Sequence, residues 1–243
     1  MQSGHHDIIH RNEDHHWWYR VRREFVHDII NKFFPTRKDL MIADIGCGGG
    51  ALTKEMEVHG TCVGVDPSEQ ALEFCRTRGI SELVLGSAEH TGLLGDKFDV
   101  VTCLDVLEHL ENDNGAIDEI HRLLKVGGVG IIFVPAFMFL WGATDESSRH
   151  FRRYRMPELA RKFDGAQFHI LQKSYFNTLL FPLIALLRIT VRLFSIHTKS
   201  EVGMGNSVTN EILYRIFSIE RFLLRCTNLP FGVSAMLMQK IIP

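Results

Sequence analysis

Three short stretches of this chain combine residue types and spacings that could do chemistry. In "IADIGCGGGALT", Ile42–Thr53, an acid sits at the end of an apolar run and four glycines crowd the turn behind it, giving Asp44-x-Gly46-x-Gly48-x-Gly50. A turn so poor in side chains lets a ligand approach the backbone closely. Asp66 ends the next apolar run, "TCVGVD", and a carboxylate there can accept from two neighbouring hydroxyls. In "FDVVTCLDVLEHL", Asp105, Glu108 and His109 stand at i, i+3 and i+4. On one helical face they suit either a first turn capped by Asp105 and supported by Glu108, or a divalent cation. In "LWGATDESSRHFRRY", Asp145 and His150 suit a proton-accepting imidazole and the acid that orients it. An equally simple reading is a surface loop in which the two bond only each other.

The glycine turn fits two cofactors. Gly46-x-Gly48-x-x-Ala51 with Asp66 beyond matches the dinucleotide fingerprint G-x-G-x-x-G/A. Asp44, however, would add negative charge beside a pyrophosphate, whereas the ammonium and sulfonium of S-adenosylmethionine tolerate an acid.

The elements that must position these residues alternate between strand and helix. An amphipathic helix from about Asp14 to Phe34 stops at Pro35. Strands follow at "LMIADI", "TCVGVD", "ELVLGS", "FDVVTCLD" and, after a "KVGG" turn, "VGIIFVPA". Helices are expected at "ALTKEMEVHG", from Pro67 to about Arg78, and near Ala116 to Leu124. Two more strands, "FHILQKSYF" and "VSAMLMQKII", flank a helical insertion. This order predicts an α/β, doubly wound parallel sheet covered on both faces.

"IADIGCGGG", "VGVDPS", "FDVVTCLDVLEHL" and "LLKVGGVGIIFVPA" resemble the class I S-adenosylmethionine-dependent methyltransferases. The likeness is to the methyltransferase type 11 group that includes the ubiquinone-biosynthesis O-methyltransferases. "HWWYRVRR", "LWGATDESSRHFRRY", "YFNTLLFPLIALLR" and "LPFGVSAMLMQK" resemble one bacterial branch of it. The resemblance implies a seven-stranded Rossmann-like sheet whose last strand is antiparallel. It divides the chain into an N-terminal helical lid (1–38), a cofactor-binding core (39–175), an amphipathic helical insertion (176–227) and a terminal strand (228–243).

It also implies the roles of particular residues. Gly46, Cys47 and Gly48 wrap the methionine part, Asp44 holds its ammonium, and Asp66, followed by Pro67, takes the ribose. Ser87, Ala88 and Glu89 meet the adenine, although Ser87 stands where the family often has Asp. Cys103 and Leu104 supply a carbonyl and an apolar wall, and Trp18 and Arg22 reach in from the lid. Ser68 reads as a helix cap. His150, Asp145 and His109 are the catalytic candidates, and Arg149 replaces a glycine common in the related branch. The implied activity is O-methylation of a small or lipid-associated acceptor, of quinol or lipid-linked sugar type. N- or C-methylation of a soluble metabolite, an NAD(P)-dependent oxidoreductase and a non-catalytic cofactor-binding subunit remain as alternatives.

Composition limits the partners. The chain has 243 residues, 45% of them apolar, and a formal charge of -2, which gives no general electrostatic case for nucleic acid. Five cysteines without CxxC spacing suit a reducing, cytoplasmic compartment, and the first residues show no signal-peptide core. The histidines at 5, 6, 10, 15 and 16 lack carboxylate or cysteine partners at ligand spacing, so no metal is assigned. Arg149, Arg152, Arg153, Arg155, Arg161 and Lys162 have only Glu158 as a local counter-charge and are interleaved with Phe151 and Tyr154. That pattern suggests an anionic ligand or membrane surface. The insertion carries a polar stripe, Arg188, Arg192, Ser195 and Lys199, on an otherwise apolar helix. A second helix places Ile212, Leu213, Ile216, Phe217, Leu223 and Leu224 near one face. Residues 179–226 could thus cover the site, pair two copies as a homodimer, or lie against the inner face of a membrane.

Overall fold

The computed structural model describes residues 12–164, 168–194 and 207–241. His5, His6 and His10, and Ser195 and Lys199 of the polar stripe, lie outside them.

Seven strands form one sheet: β1 (Leu40–Ile45), β2 (Gly60–Asp66), β3 (Leu83–Leu85), β4 (Phe98–Leu104), β5 (Leu124–Pro135), β6 (Phe168–Phe176) and β7 (Ser234–Ile241). Their order is β3-β2-β1-β4-β5-β7-β6. The first five run parallel, and β7 is antiparallel to both β5 and β6. The expected "KVGG" turn lies within β5, where the pairing to β4 jumps from Phe98↔Leu124 to Val100↔Val129. Gly127 takes a left-handed φ of 85° there.

The central strands are apolar on both faces because both faces are covered. Alternation sends Ile42, Val100, Ile131 and Phe133 to one side and Ala43, Val101, Cys103, Ile132 and Val134 to the other. The first side packs on α1 (Trp17–Phe33) and α2 (Ala51–Met56). The second side packs on α4 (Asp113–Leu123) and α6 (Met156–Lys162). Between them in sequence lie α3 (Glu69–Thr77) and α5 (Ala143–Ser147), followed later by α7 (Phe181–Leu193) and α8 (Ser207–Leu223). α4 begins three residues before the expected Ala116.

Two expectations change. The first helix is a layer of the core as well as a cover: Val21, Phe25, Val26, Ile29 and Ile30 are buried against the sheet. α8 is fastened to that helix. Phe217 stacks on Trp18 at 5.4 Å and meets Trp17 edge-on at 5.2 Å. Tyr214 donates to Glu24 at 2.6 Å, and Arg221 and Arg225 pair with Asp28. The predicted apolar face of α8 is therefore only partly inward, since Phe217 and Leu224 are buried while Ile212 and Leu223 are exposed.

Candidate active site

The carboxyl ends of β1, β2 and β4 meet the first turns of α1 around one cavity of about 1190 Å³. Its glycine end follows from local sequence. Gly46 and Gly48 sit at φ 72° and 56°, and a Cβ on Gly46 would collide with Val106 Cγ2. The amides of Gly46 and Cys47 donate to the Val65 carbonyl at 2.8 and 3.1 Å, tying the turn to β2. Asp66 accepts from the Gly48 amide at 3.0 Å and the Ser68 amide at 2.9 Å, so its carboxylate is fixed on the cavity wall. Ser68 caps α3 by accepting from the Ala71 amide. Asp44 is buried and accepts from the Thr53 and Thr102 hydroxyls at 2.6 Å each. Burial raises its pKa, against those hydrogen bonds.

Glu13 was not singled out in the sequence. It accepts from the amides of Gly49 at 3.0 Å and Ala51 at 3.4 Å, and lies 3.5 Å from Arg78. Its carboxylate thus occupies the end of α2, where a dinucleotide fold would seat its pyrophosphate. Nothing local marks Glu13, because its partners are 36 and 38 residues away. Glu13, Asp44 and Asp66 together line the glycine end, a donor set suited to a cationic ligand and opposed to a pyrophosphate.

Most of the other expected contacts reach this cavity. Trp18, Arg22, Cys47, Pro67, Ser87, Ala88, Glu89 and Leu104 all line it. Cys103 is not among the lining residues, and strand alternation turns its thiol, not the carbonyl that the resemblance assigns to the cofactor, into the opposite core cluster. Asp105 is no helix cap. It takes φ 54° and pairs with Arg22, and the following residues make only a short 3₁₀ turn, Leu107–His109, with no side-chain cap.

His109 and His150 line the far end, their rings edge-to-face at 4.5 Å. Asp145 stands behind His150 and is not part of the cavity wall. Fully buried, it bonds His150 Nδ1 at 2.9 Å, Arg153 Nε and Nη2 at 2.8 and 2.9 Å, and the Gly142 amide at 2.8 Å. Burial opposes its ionisation, but the hydrogen bonds from His150 and Arg153 and the Arg153 charge outweigh it and hold Asp145 below the usual carboxylate range. His150 Nδ1 therefore carries the proton and its Nε2 is the basic nitrogen. Arg149 adopts φ 56°, the left-handed conformation that glycine favours.

Three of the six basic residues of the run are engaged within the fold. Arg153 is spent on Asp145, Lys162 pairs with Asp113 at 2.8 Å, and Arg152 lies 3.5 Å from Asp113 and donates to the Glu111 carbonyl. Buried polar atoms on the wall without a hydrogen-bond partner among the described residues include both Glu108 oxygens, Thr144 Oγ1, Asn177 Oδ1 and the donor Arg22 Nε. Burial, with Asp105 nearby, pushes the Glu108 carboxyl well up. Glu108, His109 and His150 each offer one ligand atom, all within 4.8 Å of one another, a grouping that a divalent cation could accept.

Comparison with known proteins agrees with this geometry. A family model described as a methyltransferase domain matches residues 43–132. A ubiquinone biosynthesis O-methyltransferase of Pseudomonas syringae pv. tomato is 34% identical over 132 residues, 47% of this chain and 55% of that protein. The enzyme of the same name from Thiobacillus denitrificans is 31% identical over 128 residues, 46% of this chain and 55% of its own. The chain thus spans about half the length of the curated relatives it matches. Among solved structures, a SAM-dependent methyltransferase from Archaeoglobus fulgidus superposes with a TM-score of 0.57 at 19% identity, covering 90% of this chain and 94% of that one. A Haemonchus contortus phosphoethanolamine N-methyltransferase in complex with S-adenosylhomocysteine gives 0.52 at 15%, covering 88% and 51%. Residues 43–132 thus match a methyltransferase-domain model, and the glycine turn, the acid after β2 and the sheet order are similar to those of the solved methyltransferases.

Proposed function

We propose that this chain is an S-adenosylmethionine-dependent O-methyltransferase acting on a quinol-type acceptor. The observation that carries it is one cavity with an acid-lined glycine turn at one end and an Asp145-supported His150 at the other. Glu13 on the α2 amides also argues against the oxidoreductase alternative.

Bound S-adenosylmethionine supplies a methyl group made electrophilic by a positively charged sulfur. The Gly46–Gly48 backbone and Asp44 would hold its methionine part, and Asp66 and Pro67 its ribose. Ser87, Ala88 and Glu89 would meet the adenine, while Trp18, Arg22, Cys47 and Leu104 close the walls. His150 Nε2 takes the proton of the acceptor hydroxyl, Asp145 balances the resulting imidazolium, and His109 faces the acceptor. Asp145 is thus a positioning residue. The protein's work is orientation and proton removal, and water is kept out by the aromatic first turn of α1.

The acceptor is lipid-associated in this reading, and the chain works in the cytoplasm against the inner face of the membrane. Support comes from α7, where the usual arrangement is reversed. Arg188 turns inward to the Leu140 carbonyl and lies 3.6 Å from Asp145, while Leu183, Leu186, Leu187, Ile189 and Leu193 are exposed. Ile184 and Leu187 continue that apolar surface into the cavity, and a patch of this kind marks an interaction surface. No helix among the described residues is long and apolar enough to cross a membrane.

The test uses labelled S-adenosylmethionine, purified protein and a bacterial extract split into lipid and aqueous fractions, with Asp66→Ala as the blank. Label in the lipid fraction, reduced when Leu186 and Leu193 become Glu, is the expected result. Label only in the aqueous fraction would assign α7 to a cover or to contact between two copies. Oxidation of NAD(P)H in place of methyl transfer would overturn the reading altogether.

A further inference from the structure

Glu108 lies in the short turn after β4 and lines the cavity. It is fully buried, and neither carboxyl oxygen has a hydrogen-bond partner among the described residues. Such a group is destabilising wherever it stands, and folded proteins retain few of them. Its position is nevertheless held firmly. The Glu108 carbonyl accepts from the Phe151 amide at 2.7 Å, joining the turn to the loop that carries His150. A carboxyl oxygen and the ring nitrogens of His109 and His150 fall within 4.8 Å of one another.

Thr144 Oγ1 and Asn177 Oδ1 are buried, unpartnered and on the same wall. All three groups can accept a hydrogen bond. The orphaned donor Arg22 Nε also stands on the wall, but these three acceptors are complementary to a ligand that brings hydroxyl donors.

We propose that Glu108 binds the methyl acceptor, taking a hydrogen bond from one of its hydroxyls and holding the oxygen to be methylated against His150. This rests on the methyl-transfer reading above. Glu108 then selects acceptors with a second hydroxyl, in addition to the one whose proton His150 takes, and disfavours those whose second oxygen is alkylated.

The test compares Glu108→Leu and Glu108→Gln with the unaltered protein, using hydroquinone as the acceptor probe. Glu108→Leu is expected to raise the KM for hydroquinone about 10- to 100-fold, as for loss of a hydrogen bond to a polar or charged group. Glu108→Gln keeps an acceptor oxygen and should restore KM to within about threefold. S-adenosylhomocysteine affinity by calorimetry should be unchanged in both. Neither variant should melt below the unaltered protein, since each removes an uncompensated buried carboxyl. Unchanged KM in Glu108→Leu overturns the proposal. So does turnover that requires an added divalent cation and is lost equally in both variants, which would make Glu108 a metal ligand. If no methyl is transferred to hydroquinone at all, the methyl-transfer reading fails separately, and the thermal shift by hydroquinone with S-adenosylhomocysteine still reads binding. A shift lost in Glu108→Leu and kept in Glu108→Gln supports the proposal; no shift, or an equal one in both, overturns it.

Discussion

Replacing Glu13 by Gln should abolish the weakening of N-terminal docking as pH rises toward 7. Glu13 is 7% exposed and bonds the Gly49 and Ala51 amides, and burial, opposed by those bonds and by Arg78, raises its pKa from 4.5 to about 7. A rise of that size is worth about 3 kcal/mol between the two protonation states. The sign follows from proton binding: the docked form holds the proton more tightly than the undocked form. Docking is therefore strongest below pH 4.5 and weakens as pH rises toward 7, after which the loss is complete. Gln carries no charge at any pH and keeps one oxygen for the Gly49 amide, at the cost of the weaker bond to Ala51, about 1 kcal/mol. Hydrogen exchange at Gly49 and Ala51 reads docking residue by residue. After correction for intrinsic exchange, protection should fall through pH 5–7 in the unaltered protein, and Glu13→Gln should lose that fall, leaving the opposite, rising dependence of His16, whose pKa burial lowers. Equal pH profiles for the two proteins would refute the assignment of Glu13 as the controlling group.

Two further substitutions probe the supports of the cavity. Asp145→Ala leaves the Arg153 guanidinium, 4% exposed, without its counter-charge. The expected cost is about 3–5 kcal/mol, or about 6–20 °C in melting temperature for a chain of this size, read by scanning calorimetry. Because Asp145 is held below the usual carboxylate range, that stability is present above about pH 4 and is lost only as pH falls toward its lowered folded pKa; a cost that disappeared at pH 7 would contradict the ion pair. Phe217→Ala removes a ring packed 5.4 Å from Trp18 and 4.5 Å from Phe176. It should cost about 3–5 kcal/mol and shift Trp fluorescence, whereas a surface helix would lose almost nothing.

What could be read in advance was what depends on near neighbours in sequence. The glycine turn, Asp66 and the Ser68 cap were legible because turn and cap chemistry is local. Asp145 and His150, five residues apart, meet as their spacing suggested. Part of the basic run reads differently in the fold because a neutralising acid is distant: Asp113 is 49 residues from Lys162. Glu13 was invisible for the same reason. α7 shows a deeper limit. Periodicity divides a helix into a polar and an apolar face, but which face turns inward depends on what the neighbouring segment offers. Here the Leu140 carbonyl, 48 residues away, and Asp145 draw Arg188 in, so the leucines are left outside. Once a guanidinium satisfies partners on the inside, the same apolar periodicity that would build a core builds an exposed surface, and the cavity opens onto it through Ile184 and Leu187.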